Sequence, residues 1–133
     1  MKVGILTFHR PINYGAFLQA YSLSTEMQRR FPGCEVSIID YIAPAEKSKI
    51  YINVLRTLKH EGVKNACRDI KKICVFKKAQ KHLSTVSIPR IDSNLNALYV
   101  WIDSNFDVLV IGSDAVFNWN QNGYPTAFIP DYE

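Results

Sequence analysis

Hydrophobic and polar positions along the chain fall into two rhythms. Short, near-continuous apolar runs stand at Val3 to Phe8, Val36 to Tyr41 (VSIIDY) and Asp107 to Gly112 (DVLVIG). Each is bounded by polar or turn residues, the pattern of strands covered on both faces of a parallel sheet. Between them the spacing is helical. Phe17, Ala20, Leu23 or Ser24, Met27 and Phe31 make one stripe over Ala16 to Phe31, with Arg29 and Arg30 in the last turn and Pro32-Gly33 as the stop. Strand, helix and strand within 41 residues predict a βαβ unit with a right-handed crossover.

Beyond Ala43-Pro44 the pattern changes. Ile52, Leu55, Leu58, Val63, Ile70, Ile73, Cys74 and Phe76 predict two or three helices from Lys49 to about Lys81, broken near Gly62. Ser84 to Arg90 reads as a short extended connection ended by Pro89, and Asn94 to Asn105 as a helix carrying Leu95, Leu98 and Ile102. Asn118 to Tyr124 is turn-rich, and Thr126 to Ile129 suits a short further strand. The expected class is α/β, an open parallel sheet flanked by helices, with no internal repeat.

Composition adds little to this, but charge does. The 133 residues carry a net charge of +4 and suit one globular domain with its own core. Nine Lys or Arg stand between Arg56 and His82 against Glu61 and Asp69 alone, so the remainder of the chain is net acidic. Such a block serves as a solvated helix face, or holds nucleic acid, an anionic sugar polymer or a membrane surface. Nucleic acid ranks last, because Phe76 is the only aromatic among the basic residues and no recognition motif occurs.

No run is long and apolar enough to span a bilayer, and no leader-and-cleavage pattern precedes the first strand. Cys34, Cys67 and Cys74 form no CxxC and leave an odd count, which fits reduced thiols, no zinc site and a cytoplasmic protein. Cys67 and Cys74 lie seven apart on one helix face and are expected to be buried.

Candidate chemistry gathers at two strand ends. His9, Arg10, Asn13 and Tyr14 occupy the turn after the first strand, where a helix opens near Gly15; Ser113, Asp114 and Asn118 follow the third. In an open parallel sheet, ligands bind outside the carboxyl ends of strands, and a helix start suits an anion. A general base there, His9 or Asp114, would activate a hydroxyl. The structural alternatives are that Asp114 caps a helix and that Asn13-Tyr14-Gly15 is turn chemistry. Dinucleotide and P-loop glycine patterns, a zincin motif and a GxSxG elbow are absent, so hydride transfer and ATP hydrolysis have no support.

These residues also carry a resemblance. TFHRPINYGAFLQAYSL (Thr7 to Leu23), a second strand ending IIDY (Ile38 to Tyr41) and GSDAVFN (Gly112 to Asn118) resemble, in order, three motifs of the polysaccharide pyruvyl transferase family. The chain departs at Ala115, where the family usually has Gln, and at Phe117, where it has Trp. The resemblance implies a Rossmann-like lobe like the N-terminal half of a two-lobed, GT-B-like transferase. The expected organisation is thus one lobe over 1–133 with a basic helical insertion at about 49–82, and no second lobe.

It further implies transfer of a pyruvyl group from phosphoenolpyruvate to a sugar of a cell-surface polysaccharide, with no cofactor beyond that donor and no metal. His9 and Asp114 are the expected catalytic residues. Arg10, Asn13, Tyr14, Gly15, Gln19, Gly112, Ser113 and Asn118 are the expected substrate contacts. The family's second lobe supplies donor-phosphate contacts, so turnover by one lobe alone is not expected. The rival expectation is a non-catalytic lobe that binds a sugar or a partner, through self-association or a separate second lobe.

Overall fold

The computed structural model describes residues 1–10, 12–42, 44–89, 94–112 and 128, with backbone only for 44–51. Among the described residues eight elements follow in order: β1 (Lys2–Leu6), α1 (Tyr14–Arg30), β2 (Glu35–Ile39), α2 (Pro44–Glu61), α3 (Val63–Gln80), β3 (Thr85–Val86), α4 (Leu95–Asn105) and β4 (Val108–Ile111). The four described strands form one parallel sheet in the order β3-β2-β1-β4. The chain runs outward from β1 to β2 and β3, then returns to pair β4 on β1's other side. The strand order therefore reverses between β1 and β4, a Rossmann-like switch point.

Period-two alternation sends side chains to both faces. Val3, Ile5, Val36 and Ile38 pack with Ala20, Phe17, Leu23 and Met27 of α1. Leu6 and Ile39 pack with Leu98 and Ile102 of α4, and Phe128 joins them. Each fully buried Leu or Ile is worth about 1.5–3 kcal/mol relative to exposure, so these two layers carry the fold. Gly4 has no room for a side chain: a Cβ would stand 2.9 Å from both Ile39 Cδ1 and the Phe106 ring.

Among the described residues the expected strands and helices are present with shifted ends, and the connection expected over Ser84 to Arg90 contributes Thr85–Val86 to the sheet as β3; further corrections follow. Pro44 opens α2 instead of breaking the pattern, because the first helical position needs no N–H. The third apolar run is only half-buried, since β4 pairs with β1 alone among the described strands and Val108 is exposed. Phe31 is likewise exposed, at the C-cap of α1 beyond the reach of the sheet.

The predicted break at Gly62 holds. Its φ of 85° is a left-handed conformation that joins α2 to α3 at no steric cost only for glycine. Asp69 of α3 accepts from the Thr57 hydroxyl of α2 at 3.0 Å, tying the two helices. Cys67 and Cys74 share a face as expected, but both are exposed. The face of α3 turned inward carries Ala66 and Phe76 instead. The turn-rich stretch 118–124 lies outside the described residues, as does the short strand expected over 126–129 except Phe128.

Candidate active-site rim

Parallel register decides which polar residues meet. Ile5 stands beside Ile38, so two residues on, the end of β1 lies beside the end of β2. There His9, Arg10 and Asp40 lock together. The His9 ring is 1% exposed. Its Nε2 lies 3.1 Å from Asp40 Oδ1 and its Nδ1 3.1 Å from the Thr7 carbonyl. Arg10 forks onto the same carboxylate: Nε donates to Oδ1 at 2.6 Å and Nη2 donates to Oδ2.

This geometry constrains the chemistry. Both groups facing the His9 ring are acceptors, and only a ring with a proton on each nitrogen donates to both. Neither nitrogen is turned outward to take a proton from a substrate hydroxyl. Burial pushes the Asp40 carboxyl up, but hydrogen bonds and charge from Arg10, then His9, outweigh it and hold it below its usual range. Asp40 is therefore a carboxylate at neutral pH, shared by two donors. The Arg10 side chain is 36% exposed, so its guanidinium is this cluster's outward-facing cation.

The helix start is largely spoken for. Asn13 is the N-cap of α1, its side-chain oxygen accepting from Gly15 N at 2.8 Å and Ala16 N at 3.3 Å. Two of the four orphan N–H groups are thereby bonded, which weakens the expected anion site while leaving the helix dipole. A Cβ on Gly15 would stand 3.2 Å from that capping oxygen, so glycine lets the cap close in. The turn-chemistry alternative thus describes Asn13 and Gly15. Tyr14 is exposed at the first helical position, its ring 4.8 Å from that of Phe76. Gln19 is exposed farther along α1, outside the cluster.

Gly112 follows β4, donating to the Leu6 carbonyl at 3.1 Å, and a Cβ there would stand 3.1 Å from Leu23. The sheet brings Gly112 to the same edge as His9 and Arg10. Ser113, Asp114, Ala115, Phe117 and Asn118 lie outside the described residues. Asp40 is the residue that sequence reasoning left out of the site. Its signal was there, since two adjacent parallel strands both end in polar residues, but only the register shows that they touch.

The α2–α3 hairpin reaches this rim. Gln80, the last residue of α3, donates from Nε2 to the carbonyls of His9 at 2.9 Å and Arg10 at 3.2 Å. Phe76 is buried against Tyr14 and Phe17. A separate depression of about 370 Å³ is lined by Asn53, Arg56, Thr57, His60 and Glu61 of α2 and shares no residue with the rim. Among the described residues, no group of three or more His, Cys, Asp or Glu could hold a metal ion. No described helix is long and apolar enough to cross a membrane. No protein-family model matches the chain, and no curated protein or solved structure is significantly similar to it.

Proposed function

We propose that the chain is a polysaccharide pyruvyl transferase-like lobe, whose sheet edge forms one wall of a site for phosphoenolpyruvate and a sugar of a cell-surface polysaccharide. The observation that supports this reading is the meeting of His9, Arg10 and Asp40 at a strand-order reversal, within two of the three sequence motifs that resemble the family. The third motif begins at Gly112, on the same edge.

The transfer balances when the enol methylene gains a proton, C2 gains two sugar oxygens, and phosphate leaves. Each attacking hydroxyl must give up a proton. Of the two candidate bases, Asp114 is favoured, because both His9 nitrogens face acceptors. His9 then positions: together with Asp40 it holds Arg10 as a fixed cation for the donor's carboxylate or phosphate. Asn13, Tyr14, Gly15, Gln19, Ser113 and Asn118 remain proposed acceptor contacts, with Asn13 and Gly15 acting through the cap they build.

The test is phosphate release from phosphoenolpyruvate across a panel of acceptor glycosides, with the purified chain and its Asp114→Ala and His9→Ala variants. From this lobe alone no release is expected; acceptor-dependent release, lost in Asp114→Ala, is the expected signature once a second lobe is supplied. A folded chain that releases no phosphate with any acceptor even when a second lobe is supplied would replace this reading with a second one, a non-catalytic sugar- or partner-binding lobe. That second reading draws on the same observation: the rim's charges satisfy one another, and the His9 ring is closed to solvent.

A further inference from the structure

We propose that α3 docks the protein on an anionic membrane surface, lying along it without crossing. Val63, Cys67, Ile70 and Cys74 recur at spacings of four, three and four, so they form one stripe along the helix. All four are exposed, Val63 at 68% and Ile70 at 47%. The opposite face is the one that packs inward, through Ala66, Phe76 and the Asp69–Thr57 bond to α2. The stripe is thus apolar surface that the described fold does not use.

Its flanks are cationic. Lys64, Lys71 and Lys78 follow one another at spacings of seven beside the stripe. The helix holds six Lys or Arg against one acid, Asp69, whose nearest cation is Lys72 at 3.6 Å. Apolar side chains bordered by cations are what an anionic lipid interface recognises: the charges meet headgroups while Val and Ile enter the acyl boundary. A nucleic acid would use the cations but would leave the aliphatic stripe in water, and the face offers no aromatic for a base to stack on. Charge complementarity together with the exposed stripe favours the membrane.

The test is flotation of the full chain with vesicles of neutral phosphatidylcholine alone, or with about a third phosphatidylserine. A thiol-reactive environment-sensitive dye is placed on native Cys67, in a Cys34→Ser/Cys74→Ser background. Binding to the anionic vesicles only, with a blue-shifted dye, is the expected result. Lys64→Gln/Lys71→Gln/Lys78→Gln should weaken it on the order of a hundredfold, at about fivefold per lysine. Val63→Ser/Ile70→Ser should weaken it on the order of tenfold and abolish the dye shift. The five Lys, Val and Ile positions are exposed, so circular dichroism should match that of the Cys34→Ser/Cys74→Ser parent. The proposal is overturned by absence of binding to anionic vesicles. It is overturned equally by vesicle binding that the Ser variant leaves intact, or by tighter capture of a single-stranded oligonucleotide than of vesicles.

Discussion

The rim at the ends of β1 and β2 and the hairpin of α2 and α3 handle charge in opposite ways. At the rim one carboxylate, Asp40, serves the Arg10 guanidinium and the His9 ring in a nearly closed setting. On the hairpin many cations face solvent with few acids near them, and large apolar side chains such as Leu55 and Ile70 are exposed among them. The first arrangement resolves its electrostatics internally, so it is stiff and costly to disturb. The second leaves them unresolved, so each residue contributes little to stability and much to whatever surface it meets. Exposed ion pairs are worth little, whereas removing one partner of a buried set strands the others.

Substitutions should reproduce that contrast. The largest effect is expected at Gly4, beneath the rim: Gly4→Val forces a side chain into Ile39 and Phe106. It should cost about 3 kcal/mol in urea unfolding. Next is Asp40→Asn, which leaves Arg10 and the buried His9 facing an amide and should cost about 1–3 kcal/mol. That variant also carries a pH signature. Because the folded Asp40 carboxyl is held below its ordinary value of 3.8, its contribution is complete above that pH and is lost as pH falls through the lowered value. Unfolding midpoints of the parent should therefore drop below about pH 4 by an increment that Asp40→Asn lacks.

Smaller effects sharpen the boundary between the regions. Gln80→Leu removes the donor to two rim carbonyls and should cost about 1 kcal/mol, with faster amide exchange in the last turns of α3. Asn13→Ala should cost about 1 kcal/mol through the lost cap. Ile70→Ser, on the exposed stripe, should stay within about 0.5 kcal/mol of the parent. A large loss there would mean that the stripe is core, and the contrast would collapse.

Much of the sheet was legible because buried parallel strands are written as continuous apolar runs, as in VSIIDY. The helix α1 was legible because its cap, stripe and Pro-Gly stop agree. What sequence left open were choices between faces and between partners. On α3, Val63–Cys67–Ile70–Cys74 and Ala66–Ile73–Phe76 are rival stripes of similar length. The aromatic stripe packs inward, because Phe76 fills the space against Tyr14 and Phe17, and the cysteines consequently face out. Asp40 lies in the IIDY motif just past β2, but only pairing across the sheet reveals its two partners. His9 was visible as a polar residue at a strand end, but not the carbonyl of Thr7 that occupies its second nitrogen.

The central position of β1 has a consequence for how the chain is made. Val3 pairs with Val36 on one side and with Val108 on the other, so a ribosome releases β1 long before its second neighbour exists. A β1–α1–β2 unit can close early over a short loop, but one edge of Val3 to Leu6 then waits, unpaired and apolar, through synthesis of both hairpin helices. An exposed strand edge of this kind invites pairing between nascent chains. Expression yield should thus depend on elongation rate and chaperone supply more steeply than the stability of the finished fold would suggest.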